Sequence, residues 1–219
     1  MRFGVVRFPG SCDEVDALLA CRRFGDAQLL WHKDRDLDGV DAVVVPGGFS
    51  YGDYLRAGAI ARFSPLMESV IEFAREGGPV LGICNGFQVL CEAGLLPGAL
   101  LPNRSLRFVC RQVDLVVENP DTPFTRACAE GELLSVPVKH TTGRYHAPGI
   151  PEEQVVLRYV RGQNPNGAQD DIAGVCNAEG NVLGLMPHPE HAVDPLTGSA
   201  HGGRLFESVA RVRAVTSAA

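Results

Sequence analysis

The chain reads as an α/β protein, with an open, mostly parallel sheet, flanking helices and a smaller antiparallel extension. Three observations predict this. Up to about Leu95, short β-rich runs alternate with helix-like segments, the βαβ rhythm of a parallel sheet covered by helices. Two of the runs, Ala42–Val45 and Val80–Ile83, are almost wholly apolar, as strands buried on both faces must be. Beyond Leu95 the strand-like runs are separated by Gly, Pro and Asn without long helices, as hairpins and meanders require.

In chain order, residues 3–8 form the first strand. Residues 13–24 carry Val15, Leu18 and Leu19 at a spacing that suits one helix face. Residues 27–31 and 42–45 are the next strands. Residues 65–76 begin with proline and stop before Gly77-Gly78, the start and stop signals of a helix. Residues 79–83 are a strand and 85–93 a helix. Residues 108–117, 133–138 and 154–160 read as strands. Residues 172–176 and 181–186 flank Asn177-Ala-Glu-Gly180, a hairpin turn. The last helix lies within 203–215, with Leu205, Phe206, Val209 and Val212 towards the core. No repeat or linker interrupts the pattern, so residues 1–219 are expected to form a single domain.

Composition narrows the function classes. The 219 residues are 45% hydrophobic and 21% charged, the balance of a globular chain with a substantial core. A formal net charge of −6 argues against non-specific nucleic-acid binding. No apolar run approaches bilayer length, and the N-terminal residues read as strand and turn rather than as an export signal. Seven cysteines without a CxxC pair suit reduced thiols in the cytoplasm.

The chemistry is concentrated in three short segments. Gly82-Ile83-Cys84-Asn85-Gly86 closes an apolar strand and opens a helix, the cysteine version of a nucleophile elbow. The flanking glycines clear side chains from a tight turn, and the helix N-terminus aims N–H groups at the sulfur. A lone cysteine after a strand is most often a packed hydrophobe. The weight comes from Pro187-His188-Pro189-Glu190, because a thiol nucleophile needs a base and the base an orienting group. If that segment is extended, His188 and Glu190 project to one side; alone, it reads as a surface His and Glu in a Pro-rich loop. Pro46-Gly47-Gly48-Phe49 follows a third strand. Ligands of open α/β sheets bind beyond the carboxyl ends of strands, so the three strand ends are expected to converge on one cleft. No second Cys or His has zinc-ligand spacing with Cys84 or His188, so no metal is expected. Lys139, His140 and Arg144 read as a solvated cationic patch, Asn164-Pro-Asn-Gly167 as a turn, and the other six cysteines as packing residues.

With these residues in hand, the chain resembles the class I, triad-type glutamine amidotransferases. The run Gly47-Gly48-Phe49-Ser50-Tyr51-Gly52-Asp53-Tyr54-Leu55-Arg56-Ala57-Gly58, the elbow through Gln88, the segment Asn103-Arg104-Ser105 to Phe108 and Asn164-Pro-Asn-Gly167 are similar to the glutaminase subunits of phosphoribosylformylglycinamidine synthase. The similarity spans nearly the whole chain. It departs from that pattern in three places: no Asn separates Ser11 from Cys12, Thr141-Thr142 stand where a Gly-Glu pair is usual, and His191 stands where Arg commonly follows His-Pro-Glu.

The resemblance implies a Cys84–His188–Glu190 triad that hydrolyses L-glutamine through a thioester. Gly48 and Asn85 would supply oxyanion donors and Gln88 a contact to substrate, with Ser105 and Phe108 near the amino-acid end. It implies ammonia transfer to an ATP-dependent large synthetase subunit, with a small accessory subunit, converting formylglycinamide ribonucleotide to formylglycinamidine ribonucleotide for purine synthesis. The chain has no Walker-type lysine loop, so no cofactor is expected on it, and ATP and magnesium would belong to the partner. Tyr51, Asp53 and Arg56 would contact that partner. Two rival readings stand beside this one: a Cys hydrolase of the related α/β superfamily, and a non-catalytic regulatory or scaffold subunit.

Overall fold

The computed structural model describes residues 1–216. Its core is built by β1 (Arg2–Arg7), α1 (Glu14–Arg22), β2 (Asp26–Trp31), β3 (Ala42–Val45), α2 (Pro65–Arg75), β4 (Val80–Ile83) and α3 (Asn85–Glu92). There follow β5 (Ala99–Leu101), β6 (Val109–Val117), β7 (Leu133–His140), β8 (Arg144–His146), β9 (Val155–Tyr159), β10 (Ile172–Cys176), β11 (Val182–Leu185) and α4 (Gly203–Thr216).

The strands form one nine-stranded sheet in the order β2-β1-β3-β4-β11-β10-β9-β6-β7, beside a β5-β8 ribbon. Pairings from β2 to β11 are parallel, and those from β11 to β7 antiparallel. The antiparallel extension is therefore continuous with the parallel sheet. Every residue of β3, β4 and β11 is buried, which is why their sequences lack alternation. The register pairs Ile83 with Leu185, so the residues following β4 and β11 emerge side by side.

The helices dock through faces set by sequence. In α2, Pro65 occupies the first turn, where its missing N–H costs nothing, and Leu66, Met67, Val70 and Ala74 are buried. In α4, Leu205, Phe206 and Val209 are buried, while Val212 is only half-buried. For α1 the expected face is corrected. Leu18 is buried, but Val15 is 51% and Leu19 54% exposed. The docking face is instead built from Leu18 with Ala17, Ala20 and Cys21, the last three small side chains that bring the helix close to its neighbours. Leu19 is left lining a groove with Val193 and Pro137.

Candidate active site

The elbow after β4 is strained and tightly held. Cys84 has φ 51° and ψ −103°, a conformation that costs a non-glycine residue about 1–3 kcal/mol and survives only where the surroundings enforce it. Here its N–H donates to the Leu185 carbonyl at 2.8 Å, and its carbonyl accepts from Gln88 N–H at 3.2 Å. Gly86 lets α3 press on β3: a Cβ there would overlap the Val45 carbonyl oxygen. The Cys84 thiol faces the Lys139 carbonyl, with Sγ 3.9 Å from the oxygen.

His188 and Glu190 lie just beyond β11. His188 is fixed by its N–H donating to the Pro137 carbonyl at 2.8 Å, and its Nδ1 is 2.6 Å from Glu190 Oε1. Both side chains are almost fully buried. An extended segment is not what unites them, because Pro189–His191 form a 3₁₀ turn that folds the carboxylate back onto the ring. With Nδ1–H donating to Glu190, Nε2 is the basic nitrogen; no hydrogen bond to it forms among the described residues. Burial opposes charging the ring, but the Glu190 carboxylate and the Cys84 sulfur outweigh it and hold the imidazolium well above the usual histidine range.

The turn after β3 completes the wall. Gly48 has φ +149° and bridges to Ser11. Phe49 N–H is taken by the Gly10 carbonyl at 2.8 Å, whereas no hydrogen bond of the turn uses Gly48 N–H. The Asn85 side chain accepts from Ser50 N at 3.0 Å and donates to Gln88 Oε1 at 2.8 Å. Gln88 Nε2 donates to the Thr142 carbonyl at 2.6 Å. Gly48, Cys84, Gln88 and His188 line one cavity with Phe108 and Thr142. Ser105 lies instead in a separate cleft with Asn164 and Asn166.

The loop beyond this turn is neither uniformly polar nor loose. Tyr51 Oη lies 2.6 Å from His32 Nδ1, Asn85 donates to Asp53 at 3.3 Å, and Arg56 grips Glu92 through two bonds of 2.5 and 2.6 Å. Tyr54 is 74%, Leu55 89% and Phe63 73% exposed.

Sequence reasoning missed part of the site. Lys139 and His140 are not a solvated patch. Lys139 is half-buried and pairs with Asp13, and His140 is buried, its imidazole pushed down to about 4 chiefly by burial, with His188 adding to the effect. The Asn164–Gly167 turn is also structural: Asn166 Nδ2 bonds His140 Nε2 at 3.1 Å. Cys12 and Cys110 are exposed rather than packed. Asp13, at the start of α1, is buried beside His188. Its signal was available, since it follows the turn at the carboxyl end of β1, a fourth strand end on the same edge. Ligating atoms of Asp13, His188, Glu190 and His191 all lie within 4.8 Å of one another. The ammonium of Lys139 already supplies this group with its positive charge.

The chain was compared with known proteins. Residues 1–209 match the model of the CobB/CobQ-like glutamine amidotransferase domain. Phosphoribosylformylglycinamidine synthase subunit PurQ of Rubrobacter xylanophilus is 61% identical, over 95% of this chain and 97% of the relative. The subunit of the same name from Frankia casuarinae is 59% identical, over 95% and 92%. A chain in the solved structure of PurLQS from Thermotoga maritima superposes with a TM-score of 0.89 at 46% identity, covering 95% of this chain and 96% of that one. Fold and full-length similarity agree: the chain belongs to the CobB/CobQ-like glutamine amidotransferases and, within them, to the PurQ subunits of phosphoribosylformylglycinamidine synthase.

Proposed function

We propose that Cys84, His188 and Glu190 are the catalytic triad of a glutaminase acting on L-glutamine. His188 Nε2 takes the thiol proton as Sγ attacks the carboxamide carbon. The proton then passes to the departing ammonia, and a glutamyl thioester remains for water to hydrolyse. Glu190 accepts from Nδ1–H, fixing the tautomer and stabilising the imidazolium. The N–H of Asn85, at the first helical position and without an intrahelical partner, and that of Gly48 serve the oxyanion. Gln88 positions the substrate. The observation that carries this reading is a buried His188 bonded at 2.6 Å to Glu190 while its Nε2, unbonded among the described residues, belongs to the cavity that Cys84 also lines.

The released ammonia serves a large, ATP- and magnesium-using synthetase subunit, assembled with a small accessory subunit, that converts formylglycinamide ribonucleotide to the amidine. The docking face is the loop after the oxyanion turn, where Phe49, Tyr54, Leu55 and Phe63 are exposed, together with Leu106 and Phe108. An exposed apolar group of this kind suits a protein partner. Docking reorients the Gly47–Phe49 backbone and raises glutaminase activity. The test is Cys84→Ser assayed within the complex: synthesis from glutamine should vanish while synthesis from free ammonia continues. Undiminished use of glutamine by that variant would remove Cys84 from the role.

A further inference from the structure

Two carboxylates, not one, face the imidazole of His188. Glu190 Oε1 is 2.6 Å from Nδ1, and Asp13 Oδ2 is 3.6 Å from the same nitrogen. Asp13 comes from the far end of the sequence, and its side chain is only 4% exposed. Its other oxygen, Oδ1, is bonded by Lys139 Nζ and by His191 Nε2, the latter at 3.1 Å. The clamp therefore fixes one oxygen and leaves the second turned to the ring.

The backbone is shaped for this placement. Cys12 and Asp13 N–H both donate to the Gly47 carbonyl, at 3.1 and 3.2 Å. A Cβ on Gly47 would overlap Asp13 Oδ2 and lie 2.8 Å from His188 Cε1. Only glycine at the oxyanion turn lets carboxylate and ring approach. A buried carboxylate so close to a ring nitrogen acts through a low dielectric and favours the charged ring.

We propose that Asp13 is a second positioning carboxylate for His188, held in register by Lys139 and His191 and tied by its backbone to the oxyanion turn. This rests on the reading of His188 as the base. The other ionisable groups facing the ring are Cys84 from the elbow, Glu190 and His191 from its own turn, and Lys139 and His140 from the end of β7; His140 is neutral. Asp13 thus shares with Glu190 the stabilisation of the imidazolium formed when the thiol gives up its proton. Its side-chain partners are Lys139, His188 and His191.

The test is Asp13→Asn in the full chain, read by NMR titration of the His188 ring and by the pH profile of glutamine hydrolysis. The His188 titration and the alkaline limb of kcat should both move to lower pH by about one unit. The kcat at neutral pH should fall about tenfold, the rate equivalent of that shift, with little change in KM. Loss of Asp13 also strands the Lys139 charge. The Asp13→Asn/Lys139→Met double variant removes the pair together, and it should show the same downward shift relative to Lys139→Met alone. A His188 titration unmoved in both comparisons would overturn the proposal while leaving the triad intact. Glutamine hydrolysis surviving in Cys84→Ser would instead overturn the triad reading, and the ring titration would still report on Asp13.

Discussion

Two turns meet over one cavity, and they are built differently. The elbow at Cys84 holds one strained residue inside a fully packed frame: β4 and β11 are buried throughout, and α3 presses on Val45 through Gly86. The loop beyond the Gly47–Gly48 turn spreads its strain. Tyr51, Asp53 and Leu55 all have positive φ, and Phe49, Tyr54 and Leu55 are exposed. The difference teaches that Cys84 is fixed by the core, whereas Gly48 on the same cavity wall leads into a strained surface loop. Packed elements do not deform continuously; strained surface loops with two accessible arrangements do switch.

The largest expected effect falls on the rigid side. Cys84→Ala should lower glutamine hydrolysis by at least about 10³-fold, as loss of a triad nucleophile does, with the melting temperature nearly unchanged. Glu190→Gln should cost less than that. Combined with His188→Ala it should add almost nothing, because members of one relay are not additive; multiplicative losses would break the triad. Gly86→Ala should destabilise the chain by on the order of 3 kcal/mol through overpacking against Val45, seen as a lower denaturation midpoint. A variant as stable as the parent would show that the frame yields and would erase the contrast between the two turns.

On the yielding side, Tyr51→Phe and Leu55→Ser should leave the denaturation midpoint of the isolated chain in place. They should reduce activation by the synthetase subunit severalfold while sparing KM for glutamine. Tyr51→Phe removes the hydroxyl that meets His32, and Leu55→Ser removes an exposed apolar contact. Equal activation in both variants would refute gating through this loop. The smallest effect is in acid. Burial works against the Asp13 carboxylate, but His191, His188 and Lys139 together hold it well below the ordinary range. Its stabilisation is therefore present above the unfolded value, near 4, and is lost as pH falls through the folded one. Asp13→Asn should flatten the loss of stability measured below about pH 4 relative to the parent chain.

Much of this contrast was legible before the structure. The βαβ rhythm and the wholly apolar runs at 42–45 and 80–83 named the central strands, and the Gly-flanked Cys84 with the downstream His188 and Glu190 named the buried groups. What escaped depended on tertiary placement. Val15 and Leu19 have the period of a buried stripe, yet the helix docks through alanines, because close approach favours small side chains over large ones. Lys139 looks solvated in a stretch with His140 and Arg144. Only the alternation of β7, which carries Val136, Val138 and His140 inward, and the distant Asp13 reveal where the two side chains go. The 3₁₀ turn at Pro189 likewise replaced an expected extended segment with a tighter route to the same pair.

The adjacency of β4 and β11 has a consequence for the protein while it is being made. Six strands lie between them in the sequence, and β11 pairs directly with β4. On the ribosome, Cys84 emerges long before His188, and the carbonyl of Leu185 that accepts the Cys84 N–H emerges with that late segment. Until then the nascent polypeptide has Cys84 without His188 beside its strand, next to a gap in the sheet that only the late strand fills. Long-range strand pairing of this kind is slow to form, so the arrangement that brings Cys84 and His188 to neighbouring strand ends waits on one of the last segments to be synthesised.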